Sequence, residues 1–121
     1  LECLQVKATM GGFARYEGDW YCLEGRPSND IPGNPWIITQ LWVMMYEIEK
    51  AESLEELEKT LSHLQWVKDR AFISGIIPEQ IHPYTGAALS VSPLTWSHST
   101  VVEAVNLYLH KKAKIKGDKL F

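Results

Sequence analysis

Cysteine is scarce in this chain, with Cys3 and Cys22 the two present in 121 residues. Two thiols make neither a disulfide-dense scaffold nor a four-ligand zinc site. Eighteen residues lie between them, which leaves a pairing open, and free, buried thiols of a cytosolic chain are the expectation. Long apolar runs are also missing. The longest, from Trp36 to Tyr46, is interrupted by Thr39 and Gln40 and is too short to span a bilayer. Nor is there an excess of positive charge. Twelve Lys and Arg against 15 Asp and Glu leave a net charge of -3, with no general electrostatic reason to bind nucleic acid or an acidic membrane. Leu1 is preceded by no Met or signal peptide, which reads as a processed product or a fragment. Cytoplasmic localisation is expected, with secretion left open.

What is present is ordinary globular material. Apolar residues make up 45% and charged residues 22%, enough for one domain with a buried core. Residues 11–34 are rich in Gly, Pro, Asn and Asp and read as a loop, although Tyr16, Trp20 and Tyr21 are unusual for a solvated linker. At its end, Asn34 and Pro35 suit an N-cap and a first helical position. The predicted helix runs through Ile37, Ile38, Leu41, Trp42, Val43, Met44, Met45 and Ile48. It is apolar nearly all round until Glu47, so it should be buried on most sides. Ser53 and Glu56 form a capping box for a second helix, one-faced through Leu54, Leu57, Leu61, Leu64 and Val67 and ending near Ala71. A second loop spans 72–93. A last helix is predicted from Thr95–Ser97 through Leu109, and the five lysines of 111–119 read as a basic, solvated, frayed tail.

A short turn at Ala51–Glu52 makes the first two helices antiparallel, and the third returns. The loops 11–34 and 72–93 then share one end, before the N-termini of the first and last helices. The alternation of all-round and one-faced helices suits two concentric layers. In the second loop, Glu79 follows an apolar run and Pro78, where a carboxylate has no solubility role. It is a candidate catalytic carboxylate, the alternative being a loop Glu bonded to backbone amides. In the first loop, Arg15, Tyr16, Asp19 and Tyr21 combine aromatic faces with charged groups. That is what a sugar site needs, and equally what a loop packed by its own aromatics around an Arg15–Asp19 pair would contain.

Pro78-Glu79-Gln80, the Tyr84-Thr85-Gly86 turn and Leu94-Thr95-Trp96-Ser97-His98 together resemble the C-terminal catalytic segment of the glucoamylases, glycoside hydrolase family 15. Upstream, Arg15-Tyr16, Asp19, Tyr21 and Gly33-Asn34-Pro35-Trp36 resemble that family's sugar-binding loop and helix start, in the same order, so the likeness covers residues 11–110. The prokaryotic glucoamylases and their trehalase relatives are the nearest type. The resemblance implies an all-α fold, part of an (α/α)6 barrel of six inner and six outer helices, with the site at the N-terminal ends of the inner ones. It implies an inverting, exo-acting α-glucosidase that releases β-glucose from α-glucans or oligosaccharides, with no metal and no cofactor in the chemistry. Glu79 would be the general base. Arg15, Tyr16, Asp19, Tyr21 and Trp36 would line or support the glucose subsites, Trp96 would back the base loop, and His98 would be structural.

One departure is plain. The family's general acid lies well N-terminal of this segment, and neither Glu17 nor Asp19 matches its motif. Three helices, with a fourth stub between Leu1 and Thr9, make about a quarter of the barrel. The whole chain, 1–121, therefore reads as the C-terminal portion of one catalytic domain, holding half of the acid–base pair. Its remaining partner would be the N-terminal part of that domain, and the unpartnered Trp42, Met44 and Met45 would drive self-association. Trehalase or glucodextranase activity, a non-catalytic sugar-binding or regulatory domain such as those in the large subunits of phosphorylase kinase, and a helical interaction module are the alternatives.

Overall fold

The computed structural model describes residues 1–118. Four helices, α1 (Ile37–Lys50), α2 (Leu54–Lys59), α3 (Leu61–Arg70) and α4 (Thr95–Lys116), dominate the chain, with one two-stranded antiparallel sheet of β1 (Gln80–Ile81) and β2 (Ala88–Leu89). This mostly helical composition agrees with the all-α expectation, the small sheet being an addition to it.

α1 is the hub. Ile37, Leu41, Met44 and Ile48 are fully buried on it, and Leu57, Val67, Ile81, Ala104 and Tyr108 close around them. Burial of each large aliphatic side chain contributes about 1.5–3 kcal/mol. Trp66 and Arg70, near the end of α3, both bond Met10 O, beside the segment that leads into α1. A Cβ on Gly12 would meet Pro35 and Trp66 at 2.8 Å, and its φ is +86°, so glycine is required there. α3 thus runs antiparallel to α1. α4 runs parallel to it, with Trp96 against Trp42 at its start and Lys111 Nζ on Glu49 O further along.

Several expectations change. The first helix begins at Ile37, with Trp36 as its N-cap and no capping side chain. Pro35 and Trp36 stay extended because they are paired on both sides: Trp36 N donates to Phe13 O, Ile81 N donates to Pro35 O, and Trp36 bridges to Gln80. Backbone pairing outweighs the capping preference of Asn34 and moves the helix start along the chain. The single helix expected over Ser53–Ala71 is two. Ser53 does accept from Glu56 N, but at Thr60 the chain tightens and Thr60 Oγ1 donates back to Leu57 O at 2.7 Å, a local side-chain bond that competes with the helical ladder. The stub near Leu1 is one 3-10 turn, Glu2–Leu4.

The basic tail is not frayed over its described part, because α4 continues to Lys116; Lys119 lies outside the described residues. Met44 is fully buried, whereas Trp42 is exposed. Both cysteines are free, as expected, but exposed rather than buried. Among the described residues, no helix is long and apolar enough to cross a membrane.

Candidate active site

The two long loops meet where α1 and α4 begin. Asn34 bonds Gln80, His82 lies 3.0 Å from Glu24, and Met10 N donates to Pro83 O. Extended pieces at Gln5, Phe13, Trp36, Gln80 and Leu89 are laid side by side through isolated bridges and the β1–β2 ladder. Glu79 directly precedes Gln80 in that floor.

Asp19 belongs to the first loop and is 0% exposed. Arg15 grips it with two bonds, Nε to Oδ2 at 2.8 Å and Nη2 to Oδ1 at 3.0 Å, and Tyr21 N donates to Oδ1 at 3.1 Å. Burial pushes its carboxyl up, but the Arg15 fork and the Tyr21 amide outweigh burial and hold it below the ordinary value of 3.8. The same bond to Asp19, working against burial, raises Arg15, with the charge of Glu79 adding to the effect. The Arg15 guanidinium lies over the rings of Trp36, Tyr16 and Tyr21 at 4.2, 5.1 and 5.5 Å. Trp36 is buried beneath it. Tyr16 and Tyr21 are 53% and 50% exposed, so each ring keeps surface open to a ligand beside the Arg15 contact.

Glu79 is 9% exposed. Its backbone is clamped: Glu79 N donates to Val91 O, and Glu79 O accepts from Ile37 N at the start of α1. The residues before it are held from α4, where Ser97 Oγ donates to Pro78 O and His98 Nε2 accepts from Ile77 N. Its carboxylate is bound lightly. Among the described residues one donor reaches it, Gln80 Nε2 to Oε2 at 2.9 Å, and none reaches Oε1.

Arg15, Tyr16, Asp19, Tyr21 and Trp36 therefore form one cluster with Glu79 in its electrostatic reach. The Trp96 ring packs edge-on against Trp42, centroids 5.6 Å apart, while Ser97 and His98 make the bonds to the base loop. A cleft of about 530 Å³ runs from Arg15 along α1 past Phe13, Thr39, Trp42, Val43 and Tyr46. Glu79 is not in its wall.

The chain is similar to part of a glycosyl hydrolase. It is 32% identical over 118 residues to an uncharacterized glycosyl hydrolase of Methanocaldococcus jannaschii, a match that covers 90% of this chain. The chain spans 17% of that relative's length. No protein family profile matches it, and no solved structure does.

Sequence reasoning missed two parts of this end of the molecule. Asn34, read as an N-cap, instead donates to Cys22 O and Gln80 Oε1, and Gln80 is the fully buried partner of both Asn34 and Glu79. A buried network also ties α1 to α3: His63 Nδ1 lies 2.7 Å from Gln40 Nε2, and its Nε2 lies 2.7 Å from Glu47 Oε2. A Gln and a His at otherwise apolar helix positions were the available signal for that network. Among the described residues, no three His, Cys, Asp or Glu side chains gather in a way that could hold a metal ion.

Proposed function

We propose that this chain is part of a glycoside hydrolase of the glucoamylase type, with Glu79 as general base and Arg15, Tyr16, Asp19 and Tyr21 at the glucose subsite. The observation that carries this reading is the state of Glu79: a shielded carboxylate on a backbone clamped from both sides, with one oxygen held by Gln80 and the other without a bond among the described residues. An inverting base needs that arrangement, because the open oxygen must take a proton from the attacking water. The partner acid stands about 6.5–9.5 Å from the base in such enzymes. Asp19 is unsuited to be that acid, since both its oxygens are taken by donors, Arg15 and the Tyr21 amide. In this reading the acid is supplied by a part of the protein outside these 121 residues, the chain spanning 17% of its glycosyl hydrolase relative.

In this reading Tyr16 and Tyr21 cover the C–H faces of the sugar, and Arg15, anchored by Asp19, donates to its hydroxyls. The substrate is an α-glucan or α-linked oligosaccharide. The exposed flank of α1 at Trp42 and Tyr46 packs against the remainder of an (α/α)6 barrel, or against a second copy when the remainder is missing.

Glucose release from maltose, soluble starch and trehalose, measured on the complete protein and on this chain alone, tests the reading. Activity in the complete protein, lost in Glu79→Gln and missing from the isolated chain, supports it. Activity in the isolated chain would mean that a second catalytic carboxylate lies within it. Full activity in Glu79→Gln would remove the base assignment. Light scattering that finds the isolated chain a compact monomer at high concentration would count against the exposed flank as an interface.

A further inference from the structure

We infer that Asn34 is a positioning residue for Glu79, acting through Gln80; the inference rests on Glu79 being the general base. The relay begins at a backbone carbonyl, which can only accept. Cys22 O lies 3.0 Å from one terminal atom of the Asn34 amide, so that atom is the nitrogen, Nδ2. Its second hydrogen goes to the Gln80 side chain 3.1 Å away, so the Gln80 atom there is Oε1. Gln80 must then turn Nε2 toward Glu79, and it donates to Oε2 at 2.9 Å. Each link has one permitted direction, set by the Cys22 carbonyl at the far end.

Burial makes the relay strict. Asn34 and Gln80 are 1% and 0% exposed, so water does not replace a missing link. Asn34 Oδ1 has no partner among the described residues. The position commits both donors of the amide, one to Cys22 O and one to Gln80 Oε1. The consequence falls on Glu79: Oε2 is pinned by a donor, which leaves Oε1 as the oxygen that can take a proton. Without Asn34, the Gln80 amide is free to turn over, which brings its oxygen against the carboxylate and releases Glu79 from the attacking geometry.

The test is steady-state kinetics on the complete protein with a maltooligosaccharide. Asn34→Leu is expected to lower kcat by roughly 10²-fold with KM unchanged, as misplacement of a reacting group does. Gln80→Leu is expected to do the same, and the double variant to cost no more than either single one. Asn34→Ala, which removes both donors and adds no bulk, carries the comparison if Asn34→Leu does not fold. Normal kcat in folded Asn34 variants, or additive losses in the double variant, would overturn the relay while leaving the base assignment intact. Normal kcat in Glu79→Gln would overturn both.

Discussion

Asp19 and Glu79 sit in neighbouring loops at the same end of the helices, both largely removed from water, and they are bonded in different ways. Asp19 accepts two bonds from Arg15 and one from the Tyr21 amide. Glu79 accepts one, from the residue that follows it. The backbones differ in the opposite sense: Asp19 is located mainly through its side chain, whereas Glu79 is clamped through its main chain by Val91 and Ile37. A saturated carboxylate holds a loop together. One fixed by its backbone keeps its oxygens for chemistry. The same residue class thus does two jobs a short distance apart, divided by where the hydrogen bonds are spent.

Breaking each carboxylate in turn sharpens that contrast. Glu79→Gln is expected to cost roughly 10²–10⁴-fold in kcat, as loss of a general base does, with the urea midpoint nearly unchanged. Asp19→Ala should act the other way. It leaves Arg15 without its partner and lowers stability by about 3–5 kcal/mol in urea unfolding. The pH dependence has the sign of a depressed carboxylate. The Asp19 contribution is complete above its ordinary value of 3.8 and is lost as pH falls through the lower folded-state value. Acid unfolding of Asp19→Asn should be flatter than that of the wild type in that range, and an identical profile would sink the claim.

Gly33→Ala probes the seat of Asp19 from behind. The new methyl would lie 2.8 Å from Asp19 Cβ and 3.2 Å from Asp19 O, so thermal unfolding should show a loss of about 1–3 kcal/mol. The smallest effect is expected at Trp36. Its Nε1 is buried without a partner among the described residues, so Trp36→Phe removes an unmet donor while weakening the Arg15 stack. The net change should stay within about 1 kcal/mol, and a larger loss in urea unfolding would show that the indole nitrogen matters.

Much of this end of the molecule was legible in the residues. The run from Ile37 to Ile48 announced a buried helix, Ser53 and Glu56 announced their capping interaction, and the short turn at Ala51 placed the loops together. Arg15, Tyr16, Asp19 and Tyr21 could be grouped because they lie close in sequence and their chemistry is complementary. Whether Arg15 and Asp19 serve each other or a ligand was left open, and their bidentate bond now puts Asp19 with the scaffold. Asn34 was misread because its local preference for capping is real. Trp36 and Gln80, 44 residues apart in the sequence, pair across the floor and override it.

The sequence by itself determined which segments are helical, which side chains carry charge and aromatic faces, and that one carboxylate stands in an apolar setting, because periodicity, capping and composition act over a few neighbouring residues. Tertiary structure alone decided that α1 starts at Ile37, that Trp96 packs on Trp42, and that Asn34 reaches Glu79 through Gln80. Each of those depends on partners far along the chain, brought together by backbone pairing and by the burial of α1.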